Sequence, residues 1–171
     1  MTLGGIVGGS LMSLNLRGTG RRLLGVLTYG VLGGGIIVAV LGPWLGILTG
    51  DLFEQWAVVG MSIAATAAVI VGLHSLIGGA GIGVGAMLTM LVGNPISGSS
   101  APSSFLPGVW GSIGQFFVPG ATGHLLRAAS FFPEADVLTS WLVLAAWLAA
   151  GVVLILVGHH RTGRRAAALD D

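Results

Sequence analysis

The sequence lacks cysteine and lysine, and it has few charged residues of either sign. Without cysteine, the chain can form neither a disulfide bond nor a thiolate metal site. Without lysine, it cannot build a Walker A loop, because that loop needs a lysine to reach the nucleotide phosphates. The chain is therefore not a P-loop ATPase. Its net charge of +1 gives no reason to expect a nucleic-acid partner.

Charged residues make up 8% of the 171 residues, hydrophobic residues make up 54%, and the mean hydropathy is +0.95. A typical soluble domain has about 25% charged residues. A chain this apolar cannot cover a water-facing surface with polar groups, so the composition predicts an integral membrane protein. Abundant Ala and Gly without lysine favour a GC-rich bacterial genome, and hence the bacterial inner or plasma membrane, with the lipid bilayer as the first partner.

Long apolar stretches predict an all-α fold with about five transmembrane helices. A helix needs about 20 apolar residues to cross a hydrocarbon core about 30 Å thick. The expected spans are residues 3–16, 23–48, 55–77, 80–93 and 137–158. The first is short, because 14 residues extend over only about 21 Å. Together they predict a transmembrane domain over residues 1–160, followed by a cytoplasmic tail over residues 161–171.

Residues 95–133 form the least regular region of the chain. They contain too many Pro and Gly residues for one span, yet they are too apolar for a free aqueous loop. Trp110, Ile113 and Phe117 recur at helical spacing, and a second apolar face follows Gly123. This pattern predicts two short helices that enter the outer leaflet and return, as a re-entrant hairpin. Backbone at that depth must be buried in protein or line a water-filled cavity, so the hairpin is expected to pack on the bundle or line a pathway.

Arginine placement predicts the orientation in the membrane. Cytoplasmic loops are enriched in basic residues, so two groups of arginines are expected inside: Arg17, Arg21 and Arg22, and Arg161, Arg164 and Arg165. The crossings between them then place both groups on one side and the acidic residues 51, 54, 134 and 136 on the other. The C-terminus is expected in the cytoplasm and the N-terminus outside. An outside N-terminus and a short first span predict that the chain resembles the C-terminal part of a longer protein; a separately translated half or a mis-set start would give the same pattern.

Two ionisable side chains are candidates for function. His74 lies inside a predicted span, where polar groups are functional candidates; it is either a structural histidine or part of a transport pathway. Arg127 lies alone on the outer side. It either pairs with Glu134 or Asp136 or with lipid headgroups, or it contacts an exported anionic lipid or peptide. No nucleophile and base pair and no cluster of metal ligands is evident, so neither an enzyme nor a cofactor is expected.

Pairs of glycines at positions i and i+4 let membrane helices approach closely. Such pairs serve either packing within the bundle or a seam between two copies of the chain. Both interpretations are open for the sequence pairs at residues 4 and 8, 30 and 34, 42 and 46, 79 and 83, and 81 and 85.

Residues 93–132 contain a GNPxSG step, an LPG step and a later proline that is followed by an arginine. The residues of this pattern are Gly93, Asn94, Pro95, Ser97, Gly98, Pro107, Gly108, Pro119, Gly120, Ala121 and Arg127. The run resembles the C-terminal membrane region of ABC type-2 permease-like proteins, and within them the phage-infection-protein (YhgE/Pip-like) subgroup. The resemblance extends over nearly the whole chain, but its specific part is about 40 residues long.

The resemblance implies a six-helix permease domain whose first helix and external domain would lie upstream of Met1. It implies a homodimer or heterodimer and a separate ATPase subunit. The expected function is a permease subunit, or a fragment of one, of an ABC type-2-like exporter. The alternative is a non-transporting membrane scaffold or receptor of the phage-infection-protein type. The candidate pathway residues are the motif residues Asn94, Pro95, Ser97, Gly98, Pro107, Gly108, Pro119, Gly120 and Arg127. His74 is a separate candidate, as a polar side chain inside the membrane.

Overall fold

The computed structural model describes residues 1–16, 18–97, 109–132 and 134–167, with residues 159–167 described by their backbone. Two π-helical segments, Val40–Trp44 and Met87–Gly93, extend the second and fourth helices. The α-helices of the described part are α1 (Thr2–Asn15), α2 (Thr19–Ala39), α3 (Leu52–Ile77), α4 (Gly79–Ala86), α5 (Asn94–Ile96), α6 (Trp110–Gly114), α7 (Val118–Phe131) and α8 (Leu138–Ala167).

Within this described part, four helical segments are long and apolar enough to cross a membrane. They are Thr19–Trp44, Leu52–Ile77, Gly79–Ile96 and Leu138–Gly158. The prediction of an all-helical fold is confirmed for the described residues, and the four helical segments are compatible with a multi-pass membrane protein. α1 has 14 residues and is not among the four, so four of the five predicted spans correspond to a candidate membrane-spanning helix.

Helix ends differ from the predicted span limits at two places. The second span, predicted to reach residue 48, stops being helical at Trp44. Pro43 lacks the backbone N–H that continues an α-helix, and here the helix widens into the π-helical segment before Gly46 turns the chain at a φ of 63°. At the other end of the chain, α8 continues to Ala167, so most of the predicted tail over residues 161–171 is helical.

α3 is the central helix and packs against α1, α2, α4, α7 and α8. Between Val58 and Gly72, every residue except Met61 is buried. The segment is rich in Ala, Gly and Val and has no strongly apolar side, which is the pattern of a helix surrounded by protein. Small side chains let five neighbours come close to one helix.

Glycines determine how closely the other helices approach α3. A Cβ added at Gly34 of α2 would lie 2.6 Å from the Cα of Gly60, and one at Gly30 would lie 2.7 Å from the Gly60 carbonyl oxygen. A Cβ at Gly151 of α8 would lie 2.6 Å from the Ala68 carbonyl carbon. The glycine pair at residues 30 and 34 therefore serves packing within the bundle.

The two ends of the bundle carry opposite charges. At one end, Arg22 Nη1 donates to Ser75 Oγ at 2.6 Å, and Ser75 is also approached by Gly158 of α8; we call this the arginine end. At the other end, Asp51 Oδ1 accepts from the Phe53 N–H at 2.8 Å and Asp136 Oδ1 accepts from the Leu138 N–H at 3.1 Å. These carboxylates cap the starts of α3 and α8 and define the acidic end. Such a separation of charges is what the arginine pattern predicts.

Candidate functional site

Two short helices, α6 and α7, lie in the region where the sequence predicted the re-entrant hairpin, and α7 packs against α3 and α8. We call residues 109–132 the α6–α7 hairpin; that it is re-entrant stays a prediction. Near the start of α7, Val118 belongs to the same buried cluster as Ala65 in the middle of α3 and Leu144 of α8. Near the end of α7, Ser130 contacts Gln55 in the first turn of α3. α7 therefore runs along one half of α3, from its middle to the acidic end.

The base of the hairpin brings separate parts of the sequence motif together. Gln115 Nε2 donates to the Ser97 carbonyl oxygen at 3.2 Å. Gly114 lies directly against the Ile96 carbonyl, and Gly120 lies directly against the Gly114 carbonyl. Side chains at these two glycines would collide with backbone, so glycine is required at both positions.

The structure brings several of the predicted motif residues together. Asn94 and Pro95 are exposed, whereas Ser97 is buried and donates to the Asn94 carbonyl oxygen at 2.6 Å. Pro119 lies in the first turn of α7, 3.4 Å from where a Gly93 Cβ would be. These residues meet at the hairpin base. The motif residues Gly98, Pro107 and Gly108 lie outside the described residues.

Trp147 of α8 holds the hairpin base against the bundle. Its Nε1 donates to the Phe116 carbonyl oxygen at 2.8 Å, and its ring lies 5.8 Å from the Phe117 ring. This tryptophan was not among the predicted site residues. It lies in the middle of an apolar span, whereas Trp is usual at the membrane interfaces, and this unusual position could have identified it.

Gln55 connects the loop after α2 to the end of α7. Its side chain is fully buried, and Nε2 donates to the Thr49 carbonyl oxygen at 2.6 Å and to Ser130 Oγ at 3.3 Å. Thr49 Oγ1 donates to the Ser130 carbonyl oxygen at 3.2 Å. Gly50, at a φ of 96°, lies directly against the Ala129 carbonyl. Gln55 was also not among the predicted site residues. A glutamine in the first turn of an apolar helix is unusual, and this could have identified it.

α3 carries three polar side chains with a buried atom that has no hydrogen-bond partner among the described residues. The atoms are Gln55 Oε1, Thr66 Oγ1 and His74 Nδ1. Such groups are rare in folded proteins, and each costs about 1–3 kcal/mol when left unsatisfied. The core of this bundle therefore offers hydrogen-bonding capacity that the described residues do not use.

His74 lies far from the α6–α7 hairpin. It is in the last turn of α3 at the arginine end, about 28 Å along the helix from Gln55. The structure therefore does not bring His74 together with the motif residues of the hairpin base.

Arg127 lies on the exposed side of α7, opposite the face that packs on α3. Among the described residues it forms no ion pair with Glu134 or Asp136. Its guanidinium group lies over Gly123, with Nη1 and Nη2 3.7 Å and 3.8 Å from where a Gly123 Cβ would be. The proposed pairing with acidic residues is thus not formed in the described part of the chain.

His124 links α7 to α8. Its Nδ1 lies 3.1 Å from Ser140 Oγ, within hydrogen-bonding distance. Ser140 is buried in the first turn of α8. This pair was not predicted from the sequence. It lies near the acidic end and adds a polar contact to the apolar packing of the hairpin.

A lateral groove of about 360 Å³ opens between α2, α3 and α8. It extends from Phe53 near the acidic end to Ala64 and Leu148 in the middle of the bundle, and its lining is almost entirely apolar. The described residues hold no group of three His, Asp or Glu side chains placed to bind a metal ion. The groove offers apolar contact and no reactive group.

Replacing Thr66 with valine is expected to leave stability unchanged or raise it by up to about 1 kcal/mol, because the change removes a buried hydroxyl without a partner while keeping the side-chain shape. The matched control is Thr122→Val in α7, where the buried hydroxyl donates to the Val118 carbonyl oxygen at 2.6 Å. That change is expected to lower stability by about 1 kcal/mol. Thermal unfolding in detergent would measure both. Equal destabilisation by the two variants would mean that Thr66 has a partner in the folded protein.

Comparisons with protein-family models, with curated proteins and with solved structures found no match to this chain. The resemblance of its motif and the arrangement of its own residues are therefore the grounds on which a function is proposed.

Proposed function

We propose that this chain is a membrane-spanning permease subunit, or part of one, of an ABC type-2-like exporter that works with a separate ATPase. The observation that carries the proposal is the α6–α7 hairpin, whose longer helix extends along only half of α3. A helix that begins near the middle of a transmembrane bundle is a common feature of transporters, where it helps to form the substrate pathway.

In the proposed orientation, the acidic end faces outward and the arginine end faces the cytoplasm. The α6–α7 hairpin then enters the membrane from outside and returns, with its base at the depth of Ala65 and Trp147. α7 begins there with Phe117 at the N-cap position, so no side chain at that position caps the first backbone N–H groups of the helix. The positive end of its helix dipole would therefore point into the middle of the membrane, where a polar or anionic substrate group could be stabilised.

The proposed mechanism is alternating access between groups of helices, driven by ATP hydrolysis in the partner. The cytoplasmic loop between α1 and α2 would contact the ATPase. Arg22 connects this loop to α3, because its Nε donates to the Leu16 carbonyl oxygen at 2.9 Å while Nη1 donates to Ser75 Oγ. α3 then reaches the hairpin through Gln55 at its other end. A movement of the loop would thus be transmitted along one helix to the proposed pathway.

Affinity purification of the tagged chain from its native membrane tests this proposal. An ATPase subunit is expected to co-purify, and the reconstituted complex is expected to hydrolyse ATP faster with substrate, but only when this chain is present. If the chain associates with no ATPase, the proposed mechanism is wrong.

Arg22→Gln is expected to lower stability by about 2 kcal/mol, because it removes two hydrogen bonds from a charged donor. It should also reduce stimulation of the ATPase. Arg21→Gln is the matched control, since Arg21 is exposed at the same end, and it is expected to have little effect on either quantity. Urea unfolding in detergent and ATP turnover measure the two effects. If both variants behave alike, Arg22 is not the connection between the loop and α3.

The second candidate function is a non-transporting scaffold or receptor. Several aromatic side chains are well exposed near the acidic end, among them Trp44, Phe53, Phe131 and Phe132. Aromatic residues of this kind sit at membrane interfaces, but they also favour a protein partner at the cell surface. A scaffold should keep its function when the partner ATPase is deleted and lose it when the α6–α7 hairpin is replaced, whereas an exporter should lose function in both cases.

A further inference from the structure

We propose that Arg127 binds the phosphate of an outer-leaflet phospholipid on the exposed side of the α6–α7 hairpin. This inference depends on the membrane orientation given above, but not on coupling to an ATPase. It assigns a ligand class to a residue whose charge the described part of the fold leaves unpaired.

The first step is the position of Arg127 on α7. Val118, Ala121 and Leu125 are buried on the side that faces α3. At 100° per residue, Arg127 lies on the opposite side of the helix, and its side chain is exposed. Arg127 therefore plays no part in holding the hairpin to the bundle, and its charge faces the surroundings of the bundle.

The second step is the direction of the side chain. Side chains on a helix tilt toward the helix N-terminus, and the N-terminus of α7 lies near the middle of α3. The guanidinium group accordingly lies over Gly123, one turn below its own Cα. That places the charge about 12 Å below the end of α7. Arginines near a membrane surface usually extend outward to water. This one extends inward, so an anion that binds it has to lie deeper in the membrane than the surface.

The third step is the source of that anion. The described residues give Arg127 no ion pair, and residues 98–108 contain no Asp or Glu. In a bilayer, the abundant anionic group nearest to this position is the lipid phosphate, which reaches a charged side chain within the hydrocarbon region where the bilayer thins locally. The planar guanidinium fork matches two phosphate oxygens at once. Gly123 has no side chain, which keeps the space beside the fork open.

The test uses the absence of cysteine in the chain. A single Phe131→Cys substitution carries a fluorophore beside Arg127, and nitroxide-labelled phosphatidylglycerol quenches it in detergent micelles without any ATPase. Adding Arg127→Gln is expected to raise the lipid concentration for half-maximal quenching about tenfold, because it removes the charge-assisted hydrogen bonds to the phosphate. Arg127→Lys should fall between the two, because it keeps the charge and loses the fork.

Two further variants separate the site from general charge effects. Arg21→Gln removes the same charge at the arginine end. It should leave quenching within about twofold of the parent, because salt screens the effect of an exposed charge beyond about 10 Å. Gly123→Leu keeps Arg127 but fills the space under its guanidinium, so it should weaken quenching as Arg127→Gln does. Circular dichroism and the melting temperature of each variant confirm that it is folded.

Three results would overturn the proposal. The first is equal quenching of the parent and Arg127→Gln. The second is equal quenching by a nitroxide glycolipid that has the same chains and no phosphate. The third is displacement of the phospholipid by an acidic peptide, or by inorganic phosphate at concentrations comparable to the lipid, which would indicate a site for a soluble anion. A chain that binds lipid in this way but stimulates no ATPase would leave this inference standing and remove the exporter proposal.

Discussion

Replacing Gly34 with leucine is expected to lower the free energy of unfolding by about 3 kcal/mol or more, because the new side chain would meet backbone and not a movable side chain. A Cβ at this position would already lie 2.6 Å from the Gly60 Cα and 2.7 Å from the Gly60 nitrogen. α2 would have to move away from α3, and the contacts of Gly30 along the same seam would be lost with it. Thermal or urea unfolding in detergent measures the effect.

The matched control for this prediction lies on the same helix. Gly20 has no atom of the described residues within 4 Å of where its Cβ would be. Gly20→Leu is therefore expected to leave stability unchanged or to raise it slightly, since leucine has the higher helix propensity. If Gly34→Leu is as stable as Gly20→Leu, α2 and α3 are not in contact at Gly60.

Replacing Trp147 with alanine is expected to free the α6–α7 hairpin from α8 while the rest of the bundle stays folded. The change removes the hydrogen bond from Nε1 to the Phe116 carbonyl oxygen and the ring contact with Phe117. Because Trp147 is partly exposed, we expect the free energy of opening the hairpin to fall by about 2 kcal/mol. This is below the 3–5 kcal/mol of stability that a fully buried Trp→Ala change typically removes. In the exporter proposal, the same variant should lose transport.

A cysteine at Ala128 gives a local measurement of hairpin opening. This residue is 3% exposed on the packed side of α7, so a thiol there reacts only when α7 moves away from α3. Trp147→Ala is expected to increase its labelling rate about 30-fold, the factor that corresponds to about 2 kcal/mol. Trp147→Phe keeps the ring and loses only the hydrogen bond, so a smaller increase is expected. Trp110→Ala, at a tryptophan 53% exposed in the same hairpin, should leave the rate unchanged. Unchanged labelling in Trp147→Ala would show that α8 does not hold the hairpin.

Most of the helical layout could be predicted from the sequence. The apolar stretches located the long helices, and the spacing of apolar residues after Asn94 predicted two short helices, which the structure has as α6 and α7. The arginine and acidic positions predicted opposite ends of the bundle. These predictions succeed because hydropathy, charge placement and helical periodicity depend on residues that are close together in the sequence.

The contacts of the candidate site could not be predicted in the same way. Gln55 and Ser130 are 75 residues apart in the sequence, and Trp147 and Phe116 are 31 apart. Each pair meets only because α3, α7 and α8 pack in one particular arrangement. Nothing in the sequence indicated that Gly114 and Gly120 lie directly against backbone carbonyls. The position of His74 near the inner end of its helix was predicted, because it depends only on the limits of one apolar stretch.

The glycine pairs illustrate what the sequence determines and what only the tertiary structure determines. The sequence by itself determined that this chain is apolar enough for the membrane, that it is helical, and that glycine pairs occur along its helices. Only the tertiary structure decided that the pair at residues 30 and 34 meets Gly60, while the pair at residues 79 and 83 has no described atom within 4 Å of where its Cβ atoms would be. Transfer of a segment into lipid depends on the segment's own composition, whereas a close contact depends on the relative position and rotation of two helices, which the whole bundle sets.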